Sequence, residues 1–232
     1  MKIKKDEIKR ALKATVPVLS GYMVLGFGFG LVLNSKGFGV PWAFLMSLLI
    51  YAGSMQYVAI DLLSGGASVI TMAITTVLVN ARHIFYGISM VDKYKDAGKI
   101  KPYLIFSLTD ETYSLVCTDD EENSHSYHFL VSVFNHFYWV AGSTLGAAAG
   151  SVFNFAPKGI DFALTALFVT VFVEQWLSSK DHAAAIIGVT TSALCLLIFG
   201  ADSFLIPAML LITLALTVLK FVRRGKGEYE NA

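Results

Sequence analysis

The stretch Ala67-Ser-Val-Ile-Thr-Met-Ala-Ile-Thr-Thr-Val-Leu-Val-Asn80-Ala-Arg82-His83-Ile-Phe85-Tyr86-Gly-Ile-Ser-Met-Val91 decides how this chain folds. Its 25 residues carry no full charge except that of Arg82, with His83 beside it. A helix rising ~1.5 Å per residue over this length crosses the ~30 Å hydrocarbon core of a bilayer. An arginine at the centre of such a helix costs roughly 2.5–3.5 kcal/mol on insertion scales, so it needs a polar partner or a water-filled cavity. A chain that keeps the group there points to a transport path.

The rest of the chain agrees with a membrane setting. Of its 232 residues 55% are hydrophobic and only 15% charged, with a mean hydropathy of +0.62. Soluble domains carry about 25% charged residues. The net charge of +1 argues against nucleic acid as a partner, since such binders carry a basic excess or stripe. Cys117 and Cys195 stand far apart in apolar surroundings, with neither metal-ligand spacing nor an evident disulfide pairing. The basic N-terminal arm, residues 1–13, is followed by twenty uncharged residues, longer than the apolar core of a secretory signal, and reads as a cytoplasmic arm before a retained first membrane helix.

Apolar runs fall at about 14–33, 41–60, 67–90, 129–150, 162–173, 183–201 and 203–219, with a shorter one at 103–109 that ends at Asp110-Glu111. Helices are expected throughout, because a helix satisfies its own backbone in lipid, and no period-two alternation suggests a barrel. The expected fold is all-α: a polytopic membrane helix bundle of about six or seven spans, forming one integral membrane domain over 1–232 with a cytoplasmic tail at 223–232.

Lysine and arginine set the orientation. Six precede residue 14, four lie at Lys93, Lys95, Lys99 and Lys101, and four follow the last span at Lys220, Arg223, Arg224 and Lys226. This places both termini and the 91–102 loop inside. Three full crossings before residue 91 would put that loop outside, so either an early segment is broken or re-entrant, or the loop violates the rule. Gly53, Gly65-Gly66 and the polar set Ser54, Gln56 and Asp61 make 41–66 the best candidate for the broken segment.

Several positions can carry chemistry. In Tyr51-Ala-Gly-Ser-Met-Gln56, small residues permit close backbone approach, and Gln56 either orients a ligand or bonds across to a neighbouring helix. Asn80, His83 and Gly87 share one face of the 67–91 helix, while Arg82 and Tyr86 form an i, i+4 pair on the next. A guanidinium in a semi-dry cavity suits a carboxylate, which it grips with two hydrogen bonds; the alternative is a structural ion pair. Thr109-Asp110-Glu111-Thr112 offers a partner for Arg82, a proton carrier, or both, since a carboxyl moved out of water can load and release protons near neutrality. Helix N-capping by Thr109 or Asp110 explains one of these acids but not both. His136 reads as a helix–helix hydrogen bonder, and Gly142-xxx-Gly146-xxx-Gly150 as a groove for another helix, with Gly26 and Gly30 at the same spacing. The acidic run Asp119–Glu122 reads as a solvated loop, and Asp161 and Glu174 as ends of the 162–173 span. No catalytic triad, phosphate loop or metal motif is present, so the chain does not read as an enzyme.

Taken together, Tyr51-Ala-Gly-Ser-Met-Gln56, Asn80-Ala-Arg82-His83-Ile-Phe-Tyr86-Gly87 and Leu108-Thr109-Asp110-Glu111-Thr112 resemble the AzlC family, the large subunit of branched-chain amino acid exporters. Val140-Ala-Gly142-Ser-Thr-Leu-Gly146 and Gly159-Ile-Asp161-Phe-Ala-Leu-Thr165-Ala-Leu-Phe168 resemble it too, so the likeness runs from about residue 11 to 222. Thr165 departs from a proline of many relatives, which softens any kink there. The resemblance implies a multi-pass protein of a bacterial-type cell membrane that exports branched-chain and similar apolar amino acids with a much shorter AzlD-type membrane subunit. It implies no cofactor.

On this reading Arg82 holds the substrate carboxylate, and Asp110 or Glu111 takes the ammonium group or a coupled proton. Gln56, Asn80 and His83 orient the substrate, and Phe85 or Tyr86 lines an apolar pocket. The competing readings are a non-transporting scaffold subunit, in which the Arg82 pair is purely structural, and a passive channel.

Overall fold

The structure is a computed structural model that describes residues 4–117, 124–153, 169, 172–173, 176–177, 181–200 and 204–225. Among these residues every regular element is helical. They fall into two units, Met1–Thr165 and Ala166–Ala232. The expectations for Asp119–Glu122, Asp161, Thr165 and Glu174 lie outside the described residues.

The first unit holds α1 (Lys5–Ser35), α2 (Val40–Leu49), α3 (Gly53–Ser64), α4 (Val69–Ser89), α5 (Lys101–Phe106), α6 (Asp110–Cys117) and α7 (His125–Val152). Of these, α1 and α4 are long and apolar enough to cross a membrane by length and composition. The scaffold is the pair α1 and α7, and their glycines explain it. A Cβ added at Gly26 would stand 2.9 Å from the Ser143 nitrogen, and one at Gly142 2.9 Å from the Tyr22 carbonyl. At Gly30 and Gly146 it would overlap the backbone of Ala147 and Phe27 outright, and Gly150 meets Asn34. The paired numbers rise together, so the two helices run parallel, backbone against backbone, as small-residue seams in membranes allow. The expected groove therefore has α1 as its occupant.

The 41–66 segment is broken, as its glycine and polar residues suggest. Helix α2 ends at Leu49 and α3 begins at Gly53. Between them Tyr51 takes a φ of +47°, a left-handed conformation that costs a residue with a side chain of order 1–3 kcal/mol. Its ring is held by stacking on His136, with centroids 4.1 Å apart. Gln56 Nε2 donates to Ser47 Oγ at 3.2 Å. Nine residues along a straight helix would separate these two by about 13 Å, so the chain turns back at Tyr51. Tyr57 then reaches the Leu25 carbonyl and the Phe29 ring, further along α1 than the Trp139–Tyr22 contact beside Gly53.

A second hairpin is built from α5 and α6. It breaks at Ser107–Thr109, where the Thr109 hydroxyl accepts from the Thr112 N–H at 3.2 Å and starts α6. The far end of α6 returns to the segment before α5: Lys93 Nζ donates to the Val116 carbonyl at 2.6 Å. The basic loop after α4 is not a solvated strap. Tyr94 is fully buried, in one cluster with Ala11, Met90, Leu104, Val116, Tyr127 and Val131. Arg10 lies over the Tyr127 ring, and His125 Nε2 meets the Lys93 carbonyl at 3.0 Å. The starts of α1, α5 and α7 and the ends of α4 and α6 thus share one basic end of the unit.

That end is also capped electrostatically. Glu7, in the first turn of α1, accepts from the Lys4 N–H and from the Ser124 hydroxyl, and these bonds hold its carboxyl below the usual range.

The second unit contains α8 (Ala183–Phe199) and α9 (Leu205–Gly225). Arg223 pairs with Asp181, whose other oxygen accepts from the Ala183 N–H. The guanidinium bond draws the Asp181 carboxyl down to about 2.

Candidate functional site at Arg82

Arg82 lies in the second half of α4, and its guanidinium meets both hairpin breaks. Nη1 pairs with Asp110 Oδ2 at 2.6 Å, and Nη2 donates to Ser54 Oγ at 2.8 Å. Ser54 is the second residue of α3, and Asp110 the first of α6. The partner of Arg82 is therefore Asp110 and not Glu111. The other Asp110 oxygen accepts from the Tyr86 hydroxyl at 2.5 Å, one turn along α4 from Arg82. Tyr86 is fixed by stacking on Tyr113, centroids 4.4 Å apart and planes within 12°. The Arg82 Nε is buried and has no hydrogen-bond acceptor among the described residues. The pair is half-exposed, with 37% of the Arg82 side chain and 33% of that of Asp110 accessible.

Glu111 points elsewhere. Its Oε2 accepts from the Tyr22 hydroxyl at 2.6 Å, and that hydroxyl lies 2.6 Å from the Thr109 hydroxyl. Thr109 bonds to Thr112, which accepts from Asn135 Nδ2 at 3.0 Å. Among the described residues no cation pairs with Glu111. The adjacent carboxylates thus have different company: a cation for Asp110, hydroxyl groups for Glu111. Thr109 supplies the helix cap, which leaves both acids free for other work.

Gln56 is fully buried, with its amide satisfied at both ends. Trp139 Nε1 donates to its oxygen at 2.9 Å, and its nitrogen reaches Ser47. His136 bonds across helices, to the Tyr103 hydroxyl at 3.1 Å and the Ser47 carbonyl at 3.3 Å. Of the remaining sequence-derived positions, His83 meets the cluster through its ring edge against Tyr86. The Asn80 Oδ1 is buried with no hydrogen-bond partner among the described residues, and Phe85 is exposed. The structure therefore gathers Arg82, Tyr86 and Asp110, adds Ser54, and sets Glu111 and Gln56 in neighbouring networks. Tyr22, Thr112 and Trp139 were not singled out as site residues. Their one signal in the sequence is a hydroxyl or indole N–H inside an otherwise apolar run.

Chemically, this is an anion site already holding an internal anion. Arg82 has a spare N–H, and the first N–H groups of α3 beside Ser54 have no intrahelical acceptor, so a carboxylate there would find donors from both.

Comparison with known proteins places the chain. The family model described as "AzlC protein" matches residues 17–153, which include the glycine seam, both hairpins and Arg82. The branched-chain amino acid transport protein AzlC of Bacillus subtilis is 42% identical over 215 residues, covering 91% of this chain and 85% of that protein. Membrane proteins of Haemophilus influenzae and Helicobacter pylori are 40% and 39% identical, over 92% and 91% of this chain and 91% and 94% of their own. No solved structure matches. With the family model spanning more than half of it and such relatives along nearly its whole length, this chain belongs to the AzlC family.

Proposed function

We propose that this protein is a secondary-active exporter of branched-chain and similar apolar amino acids, multi-pass in the cell membrane and acting as one transporter domain with a small AzlD-type subunit. The observation that carries the reading is Arg82, held between Ser54 and Asp110 where two mid-helix breaks meet. Discontinuous helices that present their N-termini to an anionic group are a recurring device of secondary transporters. The Bacillus subtilis relative, a branched-chain amino acid transport protein, supports the cargo.

In this proposal Arg82 takes the substrate carboxylate, and Asp110, displaced from it, takes the ammonium group. Glu111, which pairs with no cation among the described residues, exchanges the coupled proton with the Tyr22 and Thr109 hydroxyls beside it. Tyr86 positions Asp110. Asn80 and His83 line the adjacent face of α4, and Gln56 keeps the first hairpin in place so that Ser54 faces Arg82. Transport draws on the proton gradient, because nothing in the chain resembles a nucleotide site.

The same hairpins support one topology. With α1, α4 and α7 as crossings, and both hairpins entering without crossing, the basic loop after α4 lies on the same side as the N-terminus. Adding the apolar runs 162–173, 183–201 and 203–219 gives six crossings, with both basic termini inside.

The test is uptake of labelled leucine, valine and methionine into inverted vesicles, with and without a co-expressed small membrane subunit and with an uncoupler. Uptake that needs both the subunit and the proton gradient supports the reading. Gradient-driven flux that ignores the uncoupler would make the protein a passive channel.

A scaffold role is favoured by one observation: the Arg82 charge is already neutralised inside the protein. It predicts no substrate flux in the same vesicles.

A further inference from the structure

The segments α1–α2–α3 and α4–α5–α6 repeat one plan: a long helix, then a hairpin of two short ones broken at its tip. The long helices run in opposite directions, since α1 starts and α4 ends at the basic end. The first hairpin returns towards the far end, where α1 finishes. The second returns to the basic end, where Val116 meets Lys93. The two tips meet at one side chain. We infer that the first six helices are an inverted structural repeat whose opposed hairpins are two gates, and that Arg82 bolts both at once, the far-side gate through Ser54 and the basic-side gate through Asp110.

The positions correspond. Ser54 stands at the start of α3 and Asp110 at the start of α6, each just past the break of its hairpin. Each accepts from one guanidinium nitrogen, Ser54 as a neutral hydroxyl at 2.8 Å and Asp110 as a carboxylate at 2.6 Å. Arg82 itself sits on a separate, continuous helix and holds each tip with a different guanidinium nitrogen. Releasing one bond therefore frees one gate while the other stays bolted, which is the condition for alternating access. Two gates open together would make a leak; both closed is the state the geometry shows, with Ala52 8% and Leu108 1% exposed at the tips.

The charged and titratable groups around Asp110 are Arg82, His83 and Tyr86 from α4 and its neighbour Glu111; Ser54 takes its hydrogen bond from Arg82. A proton or an ammonium group arriving at Asp110 thus weakens the basic-side bolt. A carboxylate arriving at Arg82 competes with both bolts. The scheme rests on the transporter reading for its purpose, but its geometry is testable without transport.

The experiment uses the full chain in membranes with Cys117→Ser and Cys195→Ser, and a membrane-impermeant maleimide applied to right-side-out or inverted vesicles. Topology comes first: Lys36→Cys and Ser64→Cys, which flank the first hairpin, should label from one side, and Lys99→Cys and Ser124→Cys, which flank the second, from the other. Labelling of Lys36→Cys and Ser64→Cys from opposite sides would show that α2–α3 crosses, and overturns the opposed hairpins. Next come the tips. Ala52→Cys and Leu108→Cys should be protected from both sides while Arg82 is present. Ser54→Ala should raise labelling of Ala52→Cys at least several-fold from the far side only. Asp110→Asn should do the same for Leu108→Cys from the basic side only. Labelling from both sides, or no change in a variant inserted at normal yield, overturns the double bolt. Failure of leucine uptake with side-specific opening intact would instead count against the cargo and leave the gates standing.

Discussion

The seam between α1 and α7 and the junction at Arg82 lie within the same unit and are built on opposite principles. The seam is dry and continuous: Gly26, Gly30, Gly142 and Gly146 bring two backbones together with no room for a methyl group. The junction is polar and interrupted. It joins two chain breaks, one strained residue at Tyr51 and a guanidinium with an unused N–H. Packing of the first kind has a single solution, whereas hydrogen bonds of the second kind can be exchanged for equivalent ones from a ligand. The difference separates what must stay fixed in this protein from what can move.

Breaking the seam should have the largest effect. Gly146→Leu places four carbons where the Phe27 carbonyl stands and is expected to abolish folded protein. Even Gly146→Ala should cost at least about 1–3 kcal/mol, the usual penalty of overpacking, seen as a lower melting temperature in detergent. Gly21→Ala on the partner helix α1 meets nothing within 4 Å, so it should be neutral or raise stability by up to about 1 kcal/mol through helix propensity. Equal responses at the two glycines would dissolve the distinction between seam and surface.

The junction should respond in function before stability. Exchanging the partners, Arg82→Asp with Asp110→Arg, restores an ion pair and should recover most of the stability lost in either single variant. Transport should remain down by at least about 100-fold, a barrier difference of roughly 2.7 kcal/mol. Recovery of transport in the exchanged protein would make the pair structural.

A third substitution probes the brace between seam and junction. Trp139→Phe leaves the Gln56 oxygen buried without its donor, at a cost of about 1–3 kcal/mol. Binding of the carboxylate should weaken less than stability falls, since Gln56 acts through the hairpin. A variant with normal melting and no transport would place Gln56 at the substrate instead.

The smallest effect is at the basic end. The bonds to Glu7 hold its carboxyl below its ordinary value, so their stabilisation is present above about pH 4.3 and lost as pH falls through the folded value. Wild type and Glu7→Gln should differ slightly in melting temperature near neutral pH and converge in acid. A gap that widens in acid contradicts the sign.

The sequence carried the seam plainly, because glycines at i and i+4 over three turns leave few other readings. The first break was also legible: Gly53 and a cluster of polar groups interrupt an apolar run. The second was not. Its helices are only six and eight residues long, too short for a hydropathy signal, and the lysines around them look like an ordinary cytoplasmic loop. Burial of Tyr94 beneath that loop is a tertiary fact that no local pattern encodes. Arg82, Tyr86 and Asp110 could be picked out as expensive groups in an apolar setting. Ser54 counted only as a small polar residue, and Tyr22 passed as part of a hydrophobic helix, because a hydroxyl becomes informative only when its partner is known.

The central claim is that Arg82 holds the carboxylate of an exported amino acid at the meeting of two gates. The most direct test is labelled leucine uptake into inverted vesicles containing Arg82→Ala together with the small subunit, at wild-type membrane yield. The account predicts uptake reduced to the level of empty vesicles. Uptake close to that of the unsubstituted protein would contradict it.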